Sequence, residues 1–221
     1  MFVKDIFIDL KKMKENIVLQ FITKEELKTL QEKVNVETNS SFPYRKWNDL
    51  FIVCKSVIYE LDSDLITTIP ITNALMQNLH FTEEELFLFA KENTPKVAGV
   101  IVVGLNHVNK NHALLNKNLW EFPKDKHNPI RVIDHFGLGG AVLILCDGIM
   151  DKLSEHYQTD ILYVLPASKA HVIIFPNSDI ADEERLKNLL YETNRSELKT
   201  EIPLSDNVYK YICETKEFEI V

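Results

Sequence analysis

The chain has 221 residues, a formal net charge of -8 and 45% hydrophobic residues, a globular composition that excludes wholesale disorder and fibrous repeats. With 33 Asp and Glu against 25 Lys and Arg, non-specific coating of nucleic acid is excluded too, because phosphate contacts need clustered cations. No run approaches the roughly 18 apolar residues of a membrane span, and the acids Asp5 and Asp9 leave no apolar signal segment at the start.

Phe2–Leu10 mixes apolar and charged residues and reads as a short strand or helix. Ile17–Ile22 reads as a strand. Thr23 and Glu26 form a capping-box pattern, and Leu27, Leu30 and Val34 recur at helical spacing, which predicts a helix ending near Val34. Asn35–Phe42 is polar and reads as a loop. Pro43–Asp49 leads into a strand at Leu50–Tyr59; Asp62-Ser63-Asp64 turns the chain, and Leu65–Thr72 returns as the second arm of a hairpin. A short helix follows Thr72-Asn73. Thr82, with Glu85 three residues on, starts a longer helix that Pro95 should stop.

Ala98–Val103 is the next strand. Asn106–Asn128 lacks a pattern and reads as a long loop or insertion. Ile130–Phe136 is a strand, Gly137-Leu138-Gly139-Gly140 a turn, and Ala141–Tyr157 a helix. Asp160–Leu165 and His171–Phe175 form a hairpin. Asp179 caps a last helix with Leu186, Leu189 and Leu190 as its core face, and Val208–Ile212 and Phe218–Val221 close as strands. Helices alternate with hairpins rather than with single strands. The expectation is therefore α+β, a mixed and mostly antiparallel sheet with three or four packed helices. One domain over 1–221 is expected, with a subdivision near 96–130.

Cys54, Cys146 and Cys213 are scattered and odd in number, with no CxxC pair. They read as buried thiols of a reducing compartment, which places the protein in the cytoplasm.

Several short pieces follow one another in order: Phe42-Pro43-Tyr44, Asp49-Leu50, Thr72-Asn73, Glu83-Glu84-Glu85-Leu86, Ala90 and Asn93-Thr94-Pro95. Later come Leu165-Pro166-Ala167-Ser168, Val172–Pro176, Asn194, Leu204-Ser205-Asp206 and Val208–Tyr211. Together, from about Ile17 to Tyr211, they resemble DUF5688, a family of unknown function from anaerobic Firmicutes, and more distantly the YtpQ-like family (DUF1444). Members of DUF5688 read Ser-Ser-x-His-Glu where this chain has Ala167-Ser168-Lys169-Ala170-His171, so their His-Glu pair is Ala170-His171 here. The resemblance implies no activity.

Ser168, His171 and Asp134 are the nearest approach to a nucleophile, base and orienting acid. No Gly-x-Ser-x-Gly elbow surrounds Ser168, and a turn serine bonding its own backbone is the plainer reading. His107, His112, His127 and His135 show no zinc spacing, so no metal and no cofactor are expected. Gly137–Gly140 lacks a nucleotide fingerprint and reads as close packing. Thr72, Asn73, Asn93 and Thr94 read as helix-boundary chemistry or as a polar binding rim. Ser205, Asp206, Tyr209 and Tyr211 join them as candidate binding residues, the tyrosines sharing one strand face. Glu83–Glu85 and Asp182–Glu184 sit in first helical turns, where the dipole favours them; acidic surfaces also steer basic partners. These readings lead to a non-catalytic binding protein, with a protein partner ahead of nucleic acid. The alternative is a small hydrolase built on Ser168, His171 and Asp134.

Overall fold

Apolar residues at every position from Ile17 to Ile22 except Gln20 need cover on both faces, and strand β1 (Ile17–Ile22) is buried along its whole length. One edge pairs antiparallel with β3 (Leu50–Tyr59), from Ile17 opposite Ser56 to Ile22 opposite Phe51. The far edge of β3 carries two strands in succession. β2 (Tyr44–Trp47) pairs with its first half and β4 (Ile66–Pro70) with its second, both antiparallel. The computed structural model describes residues 10–59, 66–105, 117–137, 139–179, 182–196 and 203–221. The predicted turn at Asp62–Asp64 and most of the Phe2–Leu10 segment lie outside the described residues.

Helix α1 (Leu10–Glu15) precedes β1, and the buried Met13 anchors it. Helix α2 (Lys24–Thr38) opens on the predicted capping box: Glu26 N donates to Thr23 Oγ1 at 3.2 Å, and Thr23 N donates to Glu26 Oε2 at 3.1 Å. It runs past Val34 to Thr38 and ends on Asn39, at φ 47°. The first four residues of the expected loop, Asn35–Thr38, form its last, solvent-facing turn, with Val36 85% exposed, while residues 40–43 carry no regular structure. Asn tolerates the left-handed cap that stops it.

Thr72 caps the short α3 (Asn73–Asn78), and Thr82 with Glu85 forms the second capping box, at the start of α4 (Glu83–Ala98). Pro95 does not end α4. It supplies no N–H to the ladder, yet the helix continues for three residues because Val97 and Ala98 are buried. Tertiary burial overrides the local bias here.

The second sheet has the order β11-β10-β8-β9-β7-β5-β6, with β5 (Val100–Gly104), β6 (Asn118–Glu121), β7 (Ile130–Ile133), β8 (Ile161–Leu165), β9 (His171–Pro176), β10 (Tyr209–Ile212) and β11 (Glu217–Ile220). Its pairs are antiparallel except β5 with β6, which run parallel. Strand β6 falls inside the stretch read as a loop. Only four residues long and reading polar, apolar, apolar, polar, it gives no period-2 signal; His107 and His112 lie outside the described residues.

The helix expected over Ala141–Tyr157 is two pieces. Gly140–Leu145 forms a 3-10 turn whose residues are almost all buried, and α5 (Ile149–Tyr157) follows a break at Gly148, where φ is 78°. A run without a polar face cannot lie on a surface, and this one packs against β1, β7, β9 and α4. Helix α6 (Glu183–Ser196) is capped by Asp182 rather than Asp179: Glu184 N donates to Asp182 Oδ1 at 3.0 Å. Leu186 and Leu190 face the core as expected, but Leu189 is 39% exposed.

The fold is α+β with antiparallel-dominated sheets. Its main apolar cluster takes Ile17, Phe21 and Leu50 from the first sheet and Val102, Val132, Val164 and Tyr209 from the second. The 3-10 turn is held close by Gly140: a Cβ there would lie 2.0 Å from Ala170 O and 2.5 Å from Asp134 N. A Cβ at Gly148 meets open space and costs only the left-handed backbone, about 1–2 kcal/mol. Thermal unfolding of the two alanine variants is expected to show a clearly larger loss for Gly140→Ala; equal losses would contradict the close packing.

Candidate functional site

The residues read as helix-boundary chemistry or a polar rim hold the scaffold together. Thr72 Oγ1 accepts from Leu75 N at 3.2 Å. Asn73 reaches back to Ser41, its N to Ser41 O and its Nδ2 to Ser41 Oγ, each at 2.7 Å. Asn93 Nδ2 donates to Glu15 O and Ile17 O, both at 2.9 Å. Thr94 Oγ1 donates to Ala90 O at 2.6 Å and accepts from Leu19 N at 2.8 Å. Asn93 and Thr94 thus occupy backbone groups on the edge of β1 that faces away from β3, which would otherwise be buried and unpaired.

Ser205, Asp206 and Tyr209 converge with a residue that pattern reading passed over. Asp49 sits with Asn48 in the two-residue turn between β2 and β3, where Asn48 has φ 50°. Its carboxylate accepts from Ser205 Oγ at 2.7 Å and from Tyr209 Oη at 2.6 Å. Asn194 Nδ2 donates to Asp206 Oδ1 at 2.9 Å and to Ser205 O at 3.1 Å, which ties α6 to the same loop. Tyr209 is fully buried, and burial, then the bond to Asp49, pushes its hydroxyl pKa far up. Ser205, Asp206 and Asp49 also border a cleft of 540 Å³ with Glu25 and Glu26.

Ser168 and His171 meet. Ser168 Oγ lies 2.9 Å from His171 Nδ1 and also accepts from Ala170 N at 3.2 Å. Ser168 is 1% exposed. Burial, and then the Arg131 charge, lower the His171 pKa to about 4, so the ring is neutral near pH 7. Asp134, also buried, accepts from Gly139 N at 3.3 Å with Oδ1. The glycine turn therefore presents that N–H to an internal carboxylate. Among the described residues no group of three His, Cys, Asp or Glu is placed to hold a metal. His127 is exposed in a turn, and His135 packs edge-on to Phe136. Cys146 is buried, and burial pushes its thiol up to about 12.

A cleft of 640 Å³ opens between the two sheets. Trp47, Phe218, Phe87, Met150 and Tyr211 line it. Trp47 and Phe218 cross edge-on with centroids 5.3 Å apart, and Tyr211 packs on Phe218 at 4.7 Å. Burial, followed by Asp151 and Cys213, pushes the Tyr211 hydroxyl up to about 12. Three ion pairs ring the opening: Arg45 with Glu84 at 2.5 Å, Lys91 with Asp147 at 2.5 Å and Lys216 with Asp151 at 3.0 Å. The Arg45 guanidinium also lies 4.2 Å from the Phe87 ring centroid. The Glu84 and Asp147 side chains are about four-fifths exposed, at 82% and 80%. Such pairs are weak, roughly 0–1 kcal/mol, and open readily to a competing ligand. Of the predicted residues only Tyr211 lines this cleft. Its walls come from β2, α4, α5 and β11, far apart in sequence. The one local signal was the alternation Arg45, Trp47 on a single strand face.

The sheets, the bridging carboxylate and the aromatic cleft define an α+β protein with a concave site between its two sheets. Residues 2–212 match DUF5688, a family of unknown function, and the chain belongs to that family. Comparisons with curated proteins and with solved structures found no match.

Asp49→Ala leaves two buried hydroxyls without an acceptor and is expected to cost about 3 kcal/mol, against about 1–2 for Tyr209→Phe. The double variant should lose less than the sum in urea unfolding, and strict additivity would show the groups to be independent. For His171 the folded pKa, about 4, lies below the unfolded value. The unfolded chain therefore takes up a proton that the folded chain refuses. The advantage of the native protein over His171→Gln should shrink as pH falls from about 6.5 towards 4, as measured by unfolding at a series of pH values.

Proposed function

We propose that this chain is a non-catalytic binding protein whose ligand occupies the cleft between the two sheets. The observation that supports this reading is the aromatic floor set beneath exposed ion pairs. The apolar floor supplies affinity, and the rim charges supply orientation. Its 640 Å³ falls within the range of small-ligand sites, roughly 300–1,000 Å³. The shared core supports treating the chain as one domain, and three free cysteines fit a cytoplasmic protein.

The hydrolase reading keeps one supporting observation, the 2.9 Å approach of Ser168 to His171. Against it stand a buried hydroxyl that already serves Ala170 N in a turn and an imidazole whose low pKa makes it a weak base.

Both readings are testable. In a Trp120→Phe background, Trp47 is the remaining tryptophan and reports on the cleft. Apolar fragments with one charged group are expected to shift its emission, and Arg45→Glu should change their affinities. A ligand at about 100 times its Kd should add roughly 2.7 kcal/mol of stability. A fragment set that leaves both emission and stability unmoved would remove the cleft reading. A fluorophosphonate is expected to leave Ser168 unlabelled; an adduct absent from Ser168→Ala would instead favour the hydrolase.

A further inference from the structure

Strand β11 borders the cleft in a particular way. Side chains alternate between the two faces of a strand, yet Glu217, Phe218 and Glu219, three strand residues in succession, all line the opening. Residues from both faces reach one cavity only if the strand presents its edge there. That edge is open: among the described residues β11 pairs with β10 and with no other strand. Unpaired N–H and C=O groups therefore face a concave space whose floor is aromatic. Such an edge is a template for one more strand.

Charge narrows what that strand can be. Phe218 points to the floor, on Trp47 and Tyr211, while Glu217 and Glu219 share the opposite face of β11. A strand laid beside β11 repeats this alternation. Its residues beside Phe218 meet apolar surface, and those beside Glu217 and Glu219 meet two carboxylates, where cations are favoured and acids repelled. A second copy of β11 would set glutamates against glutamates, so self-pairing is disfavoured.

Resting on the cleft reading above, we propose that the open edge of β11 takes an extended peptide of alternating apolar and basic residues as an added strand. The apolar side chains pack over Trp47, Phe218 and Met150, and the basic ones pair with Glu217 and Glu219. The peptide backbone bonds to β11.

The probe is a capped peptide of roughly six residues alternating Val and Lys, a usual strand length. It is titrated into the Trp120→Phe protein and followed by Trp47 emission and calorimetry. Binding is expected. Replacing each Lys by Glu should abolish it, and N-methylation of alternate peptide nitrogens should weaken it by about tenfold or more. The double variant Glu217→Lys, Glu219→Lys should cost a similar factor. Equal binding of the Lys and Glu peptides, or N-methylation without effect, would overturn the proposal. If the Val-Lys peptide fails while apolar fragments still shift Trp47, the strand proposal falls and the cleft reading stands. If neither acts, both fall.

Discussion

A carboxylate in a two-residue turn joins the halves of this protein. Asp49 belongs by sequence to the β2–β3 hairpin, and its partners Ser205 and Tyr209 lie more than 150 residues further on, at separations of 156 and 160. The two bonds fix where the first sheet meets the second. Trp47, two residues before Asp49, then lies 4.7 Å from the Tyr209 ring and 4.8 Å from Phe21. Polar geometry sets the register there and apolar contact supplies the bulk of the energy. The cleft is a by-product of this arrangement, because Trp47 cannot pack on Phe218 unless the sheets stand at this spacing.

Local chemistry was legible wherever it is self-contained. Both capping boxes, at Thr23 and Thr82, could be read from four residues each, since the reciprocal bonds involve only neighbours. The hairpins β3–β4 and β8–β9 followed from β-rich runs around a turn. The misreadings share a cause. Pro95, the run at Gly140–Leu145 and strand β6 take their conformation from distant neighbours: buried Val97 and Ala98, the walls of both sheets, and the apolar strand β5. Propensity has no access to those neighbours.

The candidate residues divide in the same way. Of Thr72, Asn73, Asn93 and Thr94, read as boundary chemistry or a polar rim, only Thr72 caps a helix, through Leu75 N; Asn73, Asn93 and Thr94 instead reach Ser41, Ile17 and Leu19 across the fold, at separations of 32, 76 and 75. The family resemblance collected residues that build the scaffold, Asn93-Thr94-Pro95 and Ser205-Asp206 among them. Asp49 stood within one of the resembling pieces and was still passed over as a site, because a turn aspartate has a sufficient local explanation. The cleft walls carry no motif, since an aromatic floor is assembled from single residues on separate strands.

The Asp49 bridge also bears on the order of assembly. Synthesis delivers the hairpin first, and Tyr209 emerges from the ribosome only after some 160 further residues. Until then Trp47 lacks its contacts with Tyr209 and Phe218, and Asp49 lacks the Ser205 and Tyr209 hydroxyls. Long-range closure of this kind is slow, because the chain entropy is lost before the contact rewards it. The first sheet therefore exists for a time as a sticky, half-finished surface. The last strands both complete the core and hide it from other nascent chains.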